Sequence, residues 1–337
     1  MSASRFTVTD PGKSVEVSLA PEDGTISLVY APPDEPVSFT AIVKTGDPVL
    51  QETLGTLCAA GAMPAGTQPR GMAIRLQRLA PRALASSKTV GRRVQAFVEW
   101  LVRSREDTNF TYDLTSLNMA HLAAMVSIVT GKPAADIEKY LAEPATDAEL
   151  TAHYAKTIAA LPPEMSALAD PAPRWSRRLG WYATVRALKP RLVVETGVDK
   201  GHGALLLCAA LKRNAADGHA GRYIGTDINP QAGYLLGGPY AAHGGVMIGD
   251  SIASLRTLTQ PIDLFINDSD HSAAYEEAEY RTIAPLLHAQ SIVIGDNSHV
   301  TEKLTRFAAE TGRRFLFFRE EPAAHWYAGA GIGFAFN

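Results

Sequence analysis

The sequence predicts an α/β fold: a seven-stranded, mostly parallel sheet with an antiparallel last strand, preceded by an accessory region. First, an apolar run at 192–194 breaks into a glycine-rich turn and resumes as an apolar helical pattern at 204–211. Second, from residue 191 onwards short apolar runs alternate with helical patterns, which is typical of a parallel sheet with right-handed crossovers. Third, the runs at 314–319 and 331–336 have no helix between them, which indicates an antiparallel edge strand.

Composition limits the class of protein. The chain has 337 residues, of which 46% are hydrophobic and 20% charged, so a sizeable core is expected. A net charge of −3 offers no general attraction to nucleic acid or to an anionic membrane. Two distant cysteines make no disulfide framework, and no run reaches the ~18 apolar residues of a membrane span. We therefore expect a cytoplasmic protein.

The N-terminal half predicts an accessory region in two parts. Alternating apolar residues predict three short strands near 15–19, 26–30 and 37–43, after a loose polar start. From about residue 49 the spacing becomes helical, so the expected domains are a β meander at 1–48, helices at 49–165 and the main sheet at 166–337. Three strands are too few for independent stability. We expect this region to form a homo-oligomer contact or to pack on the rest of the chain.

Two further segments allow more than one interpretation. The basic cluster Arg174, Arg177 and Arg178 is interpreted as a solvated helix start, with contact to an acidic substrate as the alternative. The segment His325-Trp326-Tyr327 is consistent with a packed aromatic turn or with a loop that closes over a substrate.

The elements of the main sheet follow in order. Apolar or β-branched runs predict strands at 192–196, 222–228, 246–249, 262–267, 291–295, 314–319 and 331–336. Helical spacing between them predicts helices at 203–213, 230–241, 252–258, 273–287 and 301–310.

Acidic residues follow the first five strands: Glu195, Asp227, Asp250, Asp268 and Asp296. In an open α/β sheet, ligands bind at the edge formed by the carboxyl ends of the strands. A single acid after a strand is commonly a helix cap, but five in succession favour a binding site.

The glycine turn favours one class of cofactor. Asp227, at the end of the second strand, suits the ribose hydroxyls of a nucleotide. The turn reads E-x-G-x-x-x-G-x-G and lacks the G-x-G-x-x-G spacing of a pyrophosphate site. Glu195 beside it suits the ammonium of a methionine moiety, which favours S-adenosylmethionine over NAD. An NAD(P)-dependent oxidoreductase and a non-catalytic cofactor-binding assembly protein remain alternatives.

Residues 175–337 resemble the class I S-adenosylmethionine-dependent methyltransferases, on ETGVDKGHG, GTDI and the terminal strand pair. DLFINDSDHSAAYEEAEY resembles an element of a bacterial branch that includes macrolide-sugar O-methyltransferases, with Ser269 in place of the usual glycine. The resemblance implies a Rossmann-like fold, with Asp268 and His271 at the methyl-transfer end. It implies that the cofactor is bound by Glu195, Gly197, Gly201, Gly203, Asp227, Asp250, Ser251 and Asp268.

The resemblance extends to catechol-type enzymes and implies a divalent cation, such as Mg²⁺, held by Asp268, Asp296 and Asn297. All-oxygen ligands suit such a cation, which would lower the pKa of a substrate hydroxyl. The alternative is that these side chains only cap and turn the chain, and that His271 or His299 is the catalytic base. The expected reaction is O-methylation of a small-molecule acceptor such as a sugar, a phenol or a natural-product intermediate.

Overall fold

A computed structural model describes residues 111–337 without a gap. Before them it describes four strands within the first 44 residues, residues 99–106 and a few helical positions between 52 and 97. The chain forms two compact units, Met1–Ser104 with Ala324–Tyr327, and Arg105–Ala323 with Ala328–Asn337.

The first unit contains an antiparallel sheet with the strand order β1-β2-β3-β4. Its strands are β1 Ser4–Asp10, β2 Lys13–Ala20, β3 Thr25–Ala31 and β4 Phe39–Lys44. The sequence predicts three of them, and the expected loose start is wrong for β1. The alternation of Phe6 and Val8 with polar neighbours is the period-two signal of that strand. Most of the helical pattern predicted between 49 and 92 lies outside the described residues.

The second unit begins with helices that the sequence places in the accessory region. They are α1 Ser116–Thr130, α2 Ala134–Thr146, α3 Ala148–Ala160 and the short α4 Pro163–Ser166. Thr115 caps α1, because its side chain accepts a hydrogen bond from the Asn118 backbone N–H. Helices α1 and α2 pack on helix α5, Arg178–Leu188, which leads into the main sheet.

The main sheet has seven strands in the order β10-β11-β9-β8-β5-β6-β7. They are β5 Leu192–Thr196, β6 Arg222–Asp227, β7 Gly244–Ile248, β8 Ile262–Asn267, β9 Leu287–Asp296, β10 Arg314–Arg319 and β11 Gly331–Phe336. The first five are parallel, and β11 is antiparallel to both of its neighbours. The chain order reverses at β5, which makes the arrangement Rossmann-like and puts a switch point at the end of that strand.

The expectation that the antiparallel strand lies at the edge of the sheet is wrong. Strand β11 lies between β9 and β10, and all six of its residues are buried, whereas β10 forms the edge and exposes Arg314 and Arg319. The uninterrupted small and apolar run of β11 is typical of an interior strand.

The remaining helices are α6 His202–Ala216, α7 Ser251–Leu255, α8 Ala273–Ile283 and α9 Lys303–Glu310. The predicted helix at 230–241 is wrong: only a 3₁₀ turn, Gly238–His243, forms there. Three glycines and Pro239 within that stretch explain the difference, because both residue types disfavour an α-helix. No described helix is long and apolar enough to cross a bilayer.

Candidate functional site

The glycine turn brings the ends of β5 and β8 together. Gly197 has φ +80°, and a Cβ built on it would lie 2.0 Å from the Asp268 carbonyl oxygen. The Asp268 backbone N–H donates to the Thr196 carbonyl at 2.9 Å. Only glycine satisfies both the backbone angle and the close approach, so the two strand ends form one continuous edge.

A cavity of about 620 Å³ lies at this edge. Its walls include predicted site residues: Glu195, Gly197, Gly203, Asp227, Asp250, Ser251, Asp268 and Asn297. Gly201 does not line it and instead packs against the main chain of Gly233. The walls also carry Asp199 and Asp270, which gives six acidic side chains against two basic ones, Arg177 and Arg178. The cavity therefore suits a cationic ligand better than an anionic one.

Glu195 is buried at the centre of the cavity wall. Tyr223 donates a hydrogen bond to its carboxyl at 2.5 Å, and Gly203 leaves room for it, since a Cβ there would lie 2.2 Å from Glu195 Oε1. Burial, opposed by the Tyr223 hydrogen bond, raises the pKa of Glu195 to about 8. A cation bound beside this carboxyl would favour its ionised form.

Backbone hydrogen bonds fix the next two carboxylates. Asp227 accepts the N–H groups of Asp199 and Asn229, both at 2.8 Å. Asp250 caps α7 through the Ala253 N–H at 2.8 Å and accepts the Tyr275 hydroxyl at 2.7 Å. These hydrogen bonds, the backbone one first, lower the pKa of Asp250. Its side chain is therefore an anion in a fixed orientation at the cavity wall.

A fully buried glutamate, Glu279 on α8, lies beneath this wall. Thr196, Ser251, Ser269 and Asn267 donate hydrogen bonds to its carboxyl oxygens. Burial raises its pKa, and the four donors oppose that shift. Two of those donors, Ser251 and Ser269, line the cavity, so Glu279 orients part of the wall without reaching it.

The acids that end β8 and β9 meet a buried arginine. Arg177 donates to both carboxylate oxygens of Asp296, which is fully buried. Burial alone would raise the pKa of Asp296, but the adjacent Arg177 guanidinium lowers it. Burial and the neighbouring Asp296 charge raise the pKa of Asp268 well above its usual range. The expectation that Arg177 and Arg178 form a solvated helix start is wrong, because both are buried.

The predicted cation ligands do not fit a divalent ion in this arrangement. Two of the three, Asp268 and Asp296, have ligand atoms within 4.8 Å of each other and of a His271 ring nitrogen. The third, Asn297, donates its Nδ2 to Asp296 Oδ2 at 3.1 Å. Both Asp296 oxygens, however, already accept hydrogen bonds from Arg177 N–H groups. The carboxylate that a metal ion would need is therefore paired with a fixed positive charge. A second, divalent charge beside a buried guanidinium would be repelled across a medium of low dielectric constant.

The two predicted catalytic histidines lie in different surroundings. His271 Nε2 lies 3.1 Å from Asn297 Nδ2 and 3.7 Å from Asp268 Oδ1, and its Nδ1 lies 3.6 Å from Glu276 Oε1. Interaction with Glu276 raises the pKa of His271. His299 is exposed, with its ring centroid 6.5 Å from that of Phe317. Neither histidine lines the cavity, but His271 lies against Asp268 and Asn297, which do.

The segment His325-Trp326-Tyr327 belongs to the first compact unit. Within that unit, the ring centroid of Trp326 lies 5.4 Å from that of Trp100 and 5.5 Å from that of Phe97. These contacts favour the packed aromatic turn among the two interpretations.

The sequence-based prediction leaves out several polar residues that shape the site, and it names Arg177 only as a solvated residue or a substrate contact. Arg177 and Glu320 give no signal, because charged residues beside turns usually face solvent. Glu276 and Glu279 do give one, since they share a helical stripe with the buried Tyr280 and Ile283. A carboxylate on the apolar stripe of a helix indicates a buried acid that needs donors.

The region around the cavity matches a known family. Residues 194–298 match a family model described as a methyltransferase domain, which confirms the predicted enzyme class. No curated protein sequence matches the chain.

Three solved structures are similar to this chain at low sequence identity. An O-methyltransferase from Bacillus cereus in complex with SAH is 16% identical over 64% of this chain and 97% of its own, with a TM-score of 0.39. The O-methyltransferase TomG from Streptomyces achromogenes, in complex with SAM, is 19% identical over 56% and 89%, with a TM-score of 0.40. A putative O-methyltransferase from Klebsiella pneumoniae is 13% identical over 56% and 89%, with a TM-score of 0.41.

The raised pKa of Glu195 predicts a pH-dependent stability. The native pKa of about 8 exceeds the ordinary 4.5, so the native state binds more protons and this group removes stability as the pH rises from about 4.5 to 8. Glu195→Gln removes that loss. We expect the cofactor-free variant to gain stability over the wild type on the order of several kcal/mol at pH 8.5 and much less at pH 5. Urea unfolding at both pH values measures this, and a gain that does not change with pH would contradict it.

Proposed function

We propose that the protein transfers a methyl group from S-adenosylmethionine to a hydroxyl oxygen of a small molecule. The observation that carries this proposal is the acidic cavity of a methyltransferase domain. Even without Glu195 and Asp268, whose pKa values are raised, four acids face two arginines there. S-adenosylmethionine carries an ammonium and a sulfonium, so an acidic cavity attracts it. The anionic pyrophosphate of NAD would be repelled by the same walls, which disfavours the oxidoreductase alternative.

The positions of the wall residues support an assignment of the cofactor's parts. Glu195 suits the ammonium, Arg178 suits the carboxylate, and Asp227 suits the ribose hydroxyls. The adenine suits the side of the cavity with Ile228, whose apolar side chain is 76% exposed, and Asp250. The sulfonium methyl would then face the wall formed by Asp268 and Asn297.

The acceptor hydroxyl loses its proton to His271 in this proposal. Its oxygen bonds to the methyl carbon while the carbon–sulfur bond breaks, and the electron pair of that bond stays on the sulfur. The position of His271 supports the role: Nε2 lies 3.1 Å from Asn297 Nδ2 and 3.7 Å from Asp268 Oδ1, and both of those residues line the cavity. Glu276 Oε1 lies 3.6 Å from Nδ1. Neutral imidazole is a suitable base for a hydroxyl positioned beside the donor methyl.

The acceptor (a sugar, a phenol or a natural-product intermediate), a homo-oligomer formed through the N-terminal region and a cytoplasmic location remain predictions from the sequence. A bound magnesium ion also remains a prediction from the sequence, and the pairing of Arg177 with Asp296 argues against it.

Titration calorimetry tests the cofactor. We expect S-adenosylmethionine to bind and NAD⁺ not to bind, and Asp227→Ala to weaken S-adenosylmethionine by about tenfold or more, because a ribose hydrogen bond to a charged group is lost. Asp136→Ala, on the exposed face of α2, is the matched control and should leave the affinity unchanged. Binding of NAD⁺ without S-adenosylmethionine would overturn the proposal.

The two histidines test the base. Once an acceptor is found, His271→Asn should lower kcat about 100-fold or more with little change in cofactor affinity, since general bases contribute rate rather than binding. His299→Asn should keep kcat within about twofold, because this exposed ring takes no part. Steady-state kinetics on both variants measure this. The reverse pattern would assign the base to His299.

A further inference from the structure

Arg177 forms a tight ion pair at the substrate end of the cavity. Its Nε and Nη2 donate to the two oxygens of Asp296, and its side chain is only 10% exposed. Two parallel hydrogen bonds between guanidinium and carboxylate fix the relative orientation of the groups. Arg177 also lines the cavity, so its positive charge reaches the space where an acceptor would bind.

A second buried acid holds Arg177 from the opposite side. Glu320 Oε1 accepts the Arg177 backbone N–H at 3.1 Å, and Glu320 Oε2 lies 3.6 Å from Arg177 Nη1. The Tyr112 hydroxyl and the Ala330 N–H each donate to Oε2 at 3.0 Å. Because main chain and side chain are both held, the guanidinium is a permanent part of the wall.

The backbone at Ser176 helps to position the Arg177 side chain. Ser176 is buried and has φ +46°, a left-handed angle that a residue with a side chain rarely adopts. The turn directs Arg177 towards the strand ends just before α5 begins. The hydrogen bonds of Arg177 to Asp296 offset the cost of the unfavourable backbone angle at Ser176.

We propose that Arg177 is the resident cation of this site and takes the place of a divalent metal ion. The proposal rests on the proposed O-methylation and identifies what stabilises the acceptor oxygen as its proton leaves. The guanidinium supplies the positive charge, and it neutralises Asp296, the acid that ends β9. Proton removal is left to His271, and no divalent ion takes part.

Manganese binding tests this proposal without any substrate or cofactor. Mn²⁺ is titrated into metal-free protein and followed by electron paramagnetic resonance, for the wild type, Arg177→Gln and Arg177→Gln/Asp296→Asn. We expect no saturable site in the wild type. Arg177→Gln should gain a saturable Mn²⁺ site, with a Kd about tenfold or more below the highest Mn²⁺ concentration at which the wild type shows none, because the acids lose their built-in counter-ion. The double variant should lose that site again.

Stoichiometric Mn²⁺ binding by the wild type that Mg²⁺ displaces and Asp296→Asn abolishes would overturn the proposal. If Arg177→Gln does not fold, this wild-type measurement still decides, together with Arg177→Lys, which keeps the charge and should also bind no Mn²⁺. Because the titration contains no S-adenosylmethionine, its outcome is separate from the calorimetric test of the cofactor.

Discussion

The buried ion pair between Arg177 and Asp296 is the interaction on which the site depends. A fully buried carboxylate costs several kcal/mol unless it is paired and hydrogen-bonded, so Asp296 requires Arg177. Through Glu320 the same arginine is tied to the segment after β10, and through its own backbone to the start of α5. Three segments that are distant in sequence therefore meet at the end of β9. Removing either partner would leave an uncompensated charge in the core and loosen the substrate end of the cavity.

The other end of the cavity is organised by hydrogen bonds rather than by charge pairing. Gly197 lets β5 and β8 approach closely, and Glu279 accepts hydrogen bonds from β5, β8, the loop after β8 and the first residue of α7. Glu195 and Asp227 stand above this layer in fixed orientations. The result is a preorganised acidic wall, which is the form of complementarity expected for a cationic methyl donor. Charge thus distinguishes the two ends of the cavity. The end where the methyl donor would lie is net negative, whereas Arg177 balances the acids at the end where the acceptor would lie.

The sequence predicts the main sheet well because its signals are local. Each parallel strand is a short apolar run followed by an acid, and the bounds of β5, β8, β10 and β11 agree with the structure. The interior position of β11 and the extra strand β1 depend on pairing between strands, which local spacing does not specify. The sequence predicts the cavity acids because parallel strands end at one edge of the sheet, a rule that needs no side-chain detail.

The partners of those acids could not be found in the same way. Arg177 lies 119 residues from Asp296 in sequence, and nothing in RWSRR distinguishes a buried arginine from a solvated one. The predicted metal site rests on three ligands and leaves that cation out, so the chemistry of the site changes once the guanidinium is present. The stripe that contains Glu276 and Glu279 was visible in the sequence, but identifying their donors required the fold.

A crystal structure of the wild-type protein grown with S-adenosylmethionine and a millimolar concentration of magnesium would show which cation the acids after β8 and β9 hold. We expect the cofactor along the acidic wall with its sulfonium methyl facing Asp268. The Arg177 guanidinium should still donate to both oxygens of Asp296, with no metal between the acids. A magnesium ion coordinated by Asp268 and Asp296, with Arg177 displaced, would contradict it.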